Sequence, residues 1–235
     1  MKVLISNWKA SLTFFLLLLL VLSLGVWQID RGYNKKELEN TFLERQSQPV
    51  KEIKYNEFLE SDLYRNVVLE GKYLEKIFFL DNRIHNGKPG LKVFSPFETT
   101  NNNLVLVSRG WIELEDRSKL PTINTTKNVL KLQGVLRPES QDFVLENEEM
   151  NNKNNPILLQ TVNLSELSNF LGKPLSPYIL ELSELSESAF VKTWKPINLS
   201  SFRHFGYAVQ WFGLAVVLIV GYVFFLRKGE MKDNE

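Results

Sequence analysis

RHFGYAVQWFGLAVVLIVGYVFFLRKG, Arg203 to Gly229, is the stretch on which the reading of the fold turns. From Phe205 to Leu226 no residue is charged, and a run of that length crosses a bilayer core of roughly 30 Å at about 1.5 Å per residue. Its first turns nevertheless hold His204, Tyr207, Gln210 and Trp211, in a chain with only two histidines. Hydrocarbon is a costly solvent for such groups, so they require partners or a function.

Working outward, the other end of the chain supplies a second uncharged run, ASLTFFLLLLLVLSLGVWQI, residues 10–29. The expected architecture is an integral membrane protein with two transmembrane helices, N- and C-terminal, flanking an α+β extracytoplasmic domain rich in antiparallel strands. Its boundaries are a tail at 1–9, a span at 10–29, the outer domain at 30–203, a span at 204–226 and a tail at 227–235. Lys2 and Lys9 with Ser23-Leu24-Gly25 also resemble a cleavable signal peptide, but the run is long and WQIDR follows at once, so an uncleaved anchor is expected. Nothing Arg- and Ser-rich precedes the first span, which favours a bacterial protein over an organellar precursor. Lys2, Lys9, Arg227, Lys228 and Lys232 mark both tails as cytoplasmic and place the main domain in the periplasm.

Composition excludes several function classes. With 235 residues and a net charge of +1 there is no global attraction to nucleic acid. No cysteine is present, so neither disulfides nor thiolate chemistry are available. Phosphate-binding loops, HExxH and GxSxG are missing, and His85, in the turn sequence DNRIHNGKPG, reads as a loop histidine rather than a catalytic base. The sequons at Asn124, Asn163 and Asn198 read as chance in an Asn-rich chain.

Between the spans, KKELENTFLERQ extends the first helix toward Pro49. From Arg65 onward short β-rich segments alternate with turn residues: RNVVLEGKYL, KIFFLDNRI, GLKVFSPFET, NLVLVSRGWIEL, VLKLQGVLRPE, PILLQTV, PYILELSE and FVKTWKP. LSELSNFLG reads as a short helix closed by Gly172, and NNKNN (151–155) as a loop.

With both tails on one side, Trp27, Gln28 and Arg31 share a leaflet with Arg203, His204, Tyr207, Gln210 and Trp211. At 100° per residue His204, Tyr207, Ala208, Trp211, Ala215 and Leu218 form one stripe, and Gly206, Gln210, Gly213 and Gly221 another. The glycine stripe suggests a close contact with the first span. Gln210 lies roughly 9 Å deeper than His204 by helical rise, so it calls for a second helix or a ligand. Two readings of His204 stand side by side. One is an interfacial residue among the aromatic belt. The other is an axial haem ligand, with Tyr207 and Trp211 against the macrocycle and Arg203 or Arg31 near the propionates. No CxxCH is present, so attachment would be noncovalent.

Four blocks in order, L-G-V-W-Q-I-D-R (24–31), L-V-S-R-G-W-I (106–112), G-V-L-R-P-E (134–139) and R-H-F-G-Y-A-V-Q-W-F (203–212), together with G-K-P-G-L-K-V-F-S-P-F (87–97), resemble the surfeit-locus family of cytochrome c oxidase assembly factors. The resemblance covers nearly the whole chain. It departs at G-Y-N-K-K (32–36), where relatives often have a Trp before the Lys. It implies a non-enzymatic chaperone of the bacterial inner membrane that helps insert haem a into oxidase subunit I, with haem a synthase a second candidate partner and membrane lipid the surround. His204 occupies the position implicated in haem binding, and Trp27, Gln28, Arg31, Arg203, Tyr207, Gln210 and Trp211 would line the site. Gly110, between Arg109 and Trp111, reads as serving the fold at a strand end. The alternatives are a scaffold that stabilises an oxidase intermediate without haem, and a periplasmic enzyme acting on a lipid or cell-wall substrate.

Overall fold

The computed structural model describes residues 8–53, 58–114, 116, 119–139, 155–196 and 200–232. Residues 1–7 of the first expected tail, 233–235 of the second, and 151–154 of the expected Asn-rich loop lie outside these. The chain divides into two compact units, Met1–Asn40 with Ile197–Glu235, and Thr41–Pro196.

Two helices make up the first unit. α1 runs from Trp8 to Ser47, its last turns belonging to the second unit. Its 40 residues rise about 60 Å, twice the hydrocarbon thickness, and it passes without a break through Gly32-Tyr33-Asn34. The other helix of the unit spans Ser201–Lys232. Both are long and apolar enough to cross a membrane. Large apolar side chains such as Leu16, Leu19, Val209, Val217 and Phe224 stand exposed on them, as suits a surface solvated by lipid.

The second unit is strand-rich. Its strands are β1 (Lys51–Glu52), β2 (Asn66–Tyr73), β3 (Phe78–His85), β4 (Lys88–Thr99), β5 (Leu104–Glu113), β6 (Leu130–Pro138), β7 (Ile157–Leu159) and β8 (Leu175–Leu182). A short helix, α2 (Leu164–Leu171), sits between the last two, and the second long helix is therefore α3. The sheet order is β1-β2-β6-β8-β5-β4-β3-β7, with β2 also pairing β4. That extra pairing closes β2, β6, β8, β5 and β4 into a barrel. The sheet is mixed: β1/β2, β3/β7 and β5/β8 are parallel and the rest antiparallel.

Alternation along each barrel strand fills the interior. Val67, Leu69 and Tyr73 from β2, Phe97 from β4, Val105 and Val107 from β5, Leu132 and Leu136 from β6, and Leu180 and Leu182 from β8 form one buried cluster. Residues of opposite parity, including Phe94, Leu106 and Ile179, pack outward against Phe78, Leu80, Leu164 and Leu167. Because β4 is covered on both faces, it reads as a nearly unbroken buried run rather than an alternating one.

Local chemistry sets the connections. Asn86 and Gly87 both have positive φ, 50° and 78°, and His85 pairs with Lys88, so the expected turn is a two-residue hairpin. The His85 ring rests on Trp111 at 5.2 Å. Asn163 caps α2 by accepting from the backbone N–H groups of Ser165 and Glu166, and Gly172 ends it at φ 67°. On the outer barrel surface Lys92 and Arg137 converge on Glu181 at 3.1 and 2.9 Å. Burial pushes the Lys92 ammonium below its ordinary range, against the pull of Glu181.

The expected final strand FVKTWKP is reduced to one bridge, Val191 with Trp111. The reason is Gly110. Its φ is +116°, and a Cβ there would lie 2.7 Å from the Phe190 carbonyl carbon. The Arg109 carbonyl accepts from the Phe190 N–H at 2.6 Å, and the Trp111 N–H donates to Val191 at 2.7 Å. The segment crosses the end of β5 at a kink, not alongside a straight strand. Gly110→Val is expected to cost about 2–4 kcal/mol, read as a lower denaturant midpoint for the strand signal in circular dichroism.

Candidate functional site

The two long helices of the first unit pack antiparallel along a seam that repeats every seven residues. On α1 the residues turned inward are Ser11, Phe14, Leu18, Val21, Gly25, Gln28 and Gly32, and on α3 they are Ser201, His204, Ala208, Trp211, Ala215, Leu218 and Tyr222. Both series alternate steps of three and four, the spacing that keeps one face of a helix against its neighbour. At one end Tyr222 stacks on Phe14, with centroids 3.9 Å apart, and donates its hydroxyl proton to Ser11 at 2.8 Å. At the other end the Glu39 carboxylate accepts from the Ser201 backbone N–H at 2.9 Å and from its hydroxyl at 2.7 Å. This satisfies an orphan donor at the start of α3 and puts negative charge at the positive end of the helix dipole.

Glycine makes the closest approaches. A Cβ on Gly25 would stand 2.8 Å from the Phe212 ring, and one on Gly32 would stand 2.7 Å from the Phe205 ring. Two phenyl rings, seven residues apart on α3, therefore rest on two glycines seven apart on α1. The Phe205 ring also meets Tyr33 edge to face at 5.4 Å. The expected contact glycines are a different set: Gly206, Gly213 and Gly221 have open space around them. They lie on the flank turned away from Ala208 and Ala215, whose side chains are the buried ones.

The polar pair lies beside these contacts, with Gln28 between Gly25 and Gly32 on α1 and His204 next to Phe205 on α3. His204 Nδ1 and Gln28 Oε1 are 2.9 Å apart. Since Oε1 is a carbonyl oxygen, Nδ1–H donates to it, and in the neutral ring Nε2 is the nitrogen that carries the lone pair. Among the described residues Nε2 has no hydrogen-bond partner. The remaining residues singled out from the sequence distribute around this pair. Trp211 is half-buried on the seam. Tyr207 and Trp27 stand 44% and 48% exposed, so their ring faces are open to a ligand. The Arg31 guanidinium lies 5.7 Å from the Trp27 ring. Arg203 and Gln210 are exposed, and Gln210 takes no part in the seam. No cluster of three or more metal-ligating side chains occurs among the described residues.

Sequence reading paired Gln28 with His204 by leaflet but missed Gly25, Gly32, Phe205, Phe212 and the Glu39–Ser201 cap. The signal lies in the matched seven-residue spacing of the two glycines and the two phenylalanines. Gly25→Leu or Gly32→Leu places a side chain where a phenyl ring sits. Either is expected to part the helices, read as a longer and broader distance between spin labels on the exposed positions Leu20 and Val217 in detergent-solubilised protein.

Comparison with known proteins finds relatives over nearly the whole chain. Two SURF1-like proteins, from Rickettsia conorii and Rickettsia felis, are 28% and 29% identical over 229 residues, covering 94% and 93% of this chain and 92% and 97% of theirs. Another from Rickettsia prowazekii is 29% identical over 218 residues, 88% of this chain and 85% of its own. The SURF1 family model matches residues 15–216, a stretch that takes in the glycine seats, the Gln28–His204 pair and the whole barrel, and the chain belongs to the SURF1 family.

Proposed function

We propose that this protein serves cytochrome c oxidase assembly by holding haem a noncovalently beside His204 and aiding its delivery to subunit I. Family membership supports the general assembly role, which is a non-catalytic one. The observation that carries the finer reading is the state of His204. A metal-binding imidazole is typically held through its second nitrogen by a hydrogen-bond acceptor, which fixes the tautomer and the ring plane. Gln28 is such an acceptor at Nδ1, and Nε2 is free of hydrogen bonds among the described residues.

The residues present fit the group. Tyr207, Trp27 and half-buried Trp211 offer aromatic surface for a macrocycle, and Arg31 or Arg203 would neutralise anionic propionates. Haem a itself supplies the iron and an amphiphilic body that matches the edge of a membrane. The protein's share is orientation. The Phe205 contact on Gly32, at the residue next to the histidine, holds its backbone at a fixed height, and Gln28 holds its ring.

The antiparallel packing of the helices supports a topology in which both tails share one side of the bilayer. In the proposed topology that side is the bacterial cytoplasm and the strand-rich unit is periplasmic. Delivery would then occur laterally, within the membrane shared with subunit I, and haem a synthase is the proposed donor.

The test is the absorbance spectrum of detergent-purified protein from cells that make haem a, with the extracted pigment identified chromatographically. Wild type is expected to carry haem a and His204→Ala to lack it while remaining helical. Gln28→Leu is expected to weaken retention by about tenfold or more, the usual loss when a metal ligand's supporting acceptor is removed. A colourless wild-type protein would instead favour a scaffold that stabilises an oxidase intermediate without cofactor.

A further inference from the structure

Among the described residues the strand-rich unit holds a buried cation with no counter-ion. Of the buried basic residues among those described, Lys92 and Arg137 share Glu181. Arg109 has no carboxylate partner. It is 5% exposed and continues the inward series Val105, Val107 along β5, so it stands at the mouth of the barrel and not on its outside. Its Nε–H donates to the Ser188 carbonyl at 2.9 Å. Its guanidinium carbon lies 5.2 Å from the Tyr73 ring and 5.0 Å from the Phe190 ring. Nη1 is buried and makes no hydrogen bond among the described residues. Burial draws this guanidinium below its ordinary range.

Aromatic faces soften such a placement but do not neutralise it. A buried charge without a partner costs several kcal/mol, and a buried donor left unused adds to that. Above the arginine the mouth opens into a cleft of about 710 Å³, lined by Arg109 itself and by Tyr73, Leu130, Leu132, Gln133 and Ser186 among others. That size belongs to ligand sites. Its leucines offer an apolar wall, while the amide and hydroxyl groups around the rim offer hydrogen bonds. The lining has one acid, Glu187, which is exposed, and one other base, Lys131, already within 3.3 Å of Glu70.

We propose that the barrel mouth binds a carboxylate-bearing ligand, with Arg109 as its counter-ion and Leu130 and Leu132 against its apolar part. A planar guanidinium fork matches a carboxylate, and one unpaired positive charge matches one negative charge. A phosphate dianion would need a second free cation, and Lys131 is engaged. The carboxylate has two sources, a small organic acid or an acidic residue of a peptide segment.

Full-length protein in nonionic detergent is titrated calorimetrically with hexanoate and with its neutral isostere hexanamide. A second arm uses two blocked pentapeptides that differ only in a central glutamate or glutamine. A carboxylate probe is expected to bind at least about tenfold more tightly than its neutral counterpart, since a hydrogen bond to a charged group is worth about 1.5–3 kcal/mol. Preference for hexanoate alone identifies a small acid, and preference for the glutamate peptide alone identifies a chain segment. Arg109→Gln is expected to erase the preference. Gln133→Glu, at an exposed position on the cleft wall, is expected to weaken carboxylate binding by up to about fivefold with an unchanged circular dichroism spectrum. Equal binding of acid and neutral probes, no binding of any probe to folded protein, or a preference that survives in folded Arg109→Gln would overturn the assignment. If Arg109→Gln does not fold, unchanged affinity in Gln133→Glu overturns it alone.

Discussion

The seating of Phe205 on Gly32 and of Phe212 on Gly25 is the constraint on which the membrane unit depends. Two apolar helices in lipid gain no hydrophobic energy from meeting, because each side chain is as well solvated by acyl chains as by the other helix. Association must come from close van der Waals contact and from hydrogen bonds that lipid cannot offer. Two missing side chains on α1 let two rings settle against its backbone, and the seven-residue interval keeps both contacts in register. The Gln28–His204 bond then forms beside the Phe205 contact, with its height and separation already set. Tyr222 with Ser11 and Glu39 with Ser201 close the two ends with further polar contacts. His204 is consequently a held residue as well as an open one: Nδ1 is engaged, and Nε2 has no hydrogen-bond partner among the described residues.

In the strand-rich unit a different constraint governs, the two-residue period of a closed barrel. Closure by the β2–β4 pairing commits every second side chain to the interior. Inward parity is harmless for Val105 and Val107, whose transfer from water is favourable by a few kcal/mol in all. For Arg109 the same parity imposes a desolvated charge. The kink at Gly110 brings Phe190 and Ser188 over it, giving the guanidinium a ring and one carbonyl but no anion. By contrast, the buried bases Lys92 and Arg137 converge on one buried carboxylate, Glu181.

Much of this was legible from the chain. Both spans, the alternation of the strands, the His85–Lys88 hairpin, the Gly172 helix stop and the structural role of Gly110 follow from local chemistry, which acts over a few residues and leaves its mark on composition. The parallel pairings of β5 with β8 and of β3 with β7 were not legible, because an isolated strand does not disclose its neighbour. Asn163 was set aside as a chance sequon, yet it is the cap of α2. The glycines of α3 were read as a contact face although that face is open, since small residues permit approach without saying from which side a partner comes.

By itself the sequence determined which segments are long and apolar enough to cross a membrane, which residues are polar within them, and that His204 and Gln28 fall in one leaflet of the expected topology. Hydropathy and helical rise suffice for that, because both are additive along the chain. Only the tertiary structure decided which face of α3 meets α1, which histidine nitrogen meets Gln28, and that Arg109 lies buried at a cleft with no counter-ion among the described residues. Those depend on groups distant in sequence arriving at one point, and no local period encodes such a meeting.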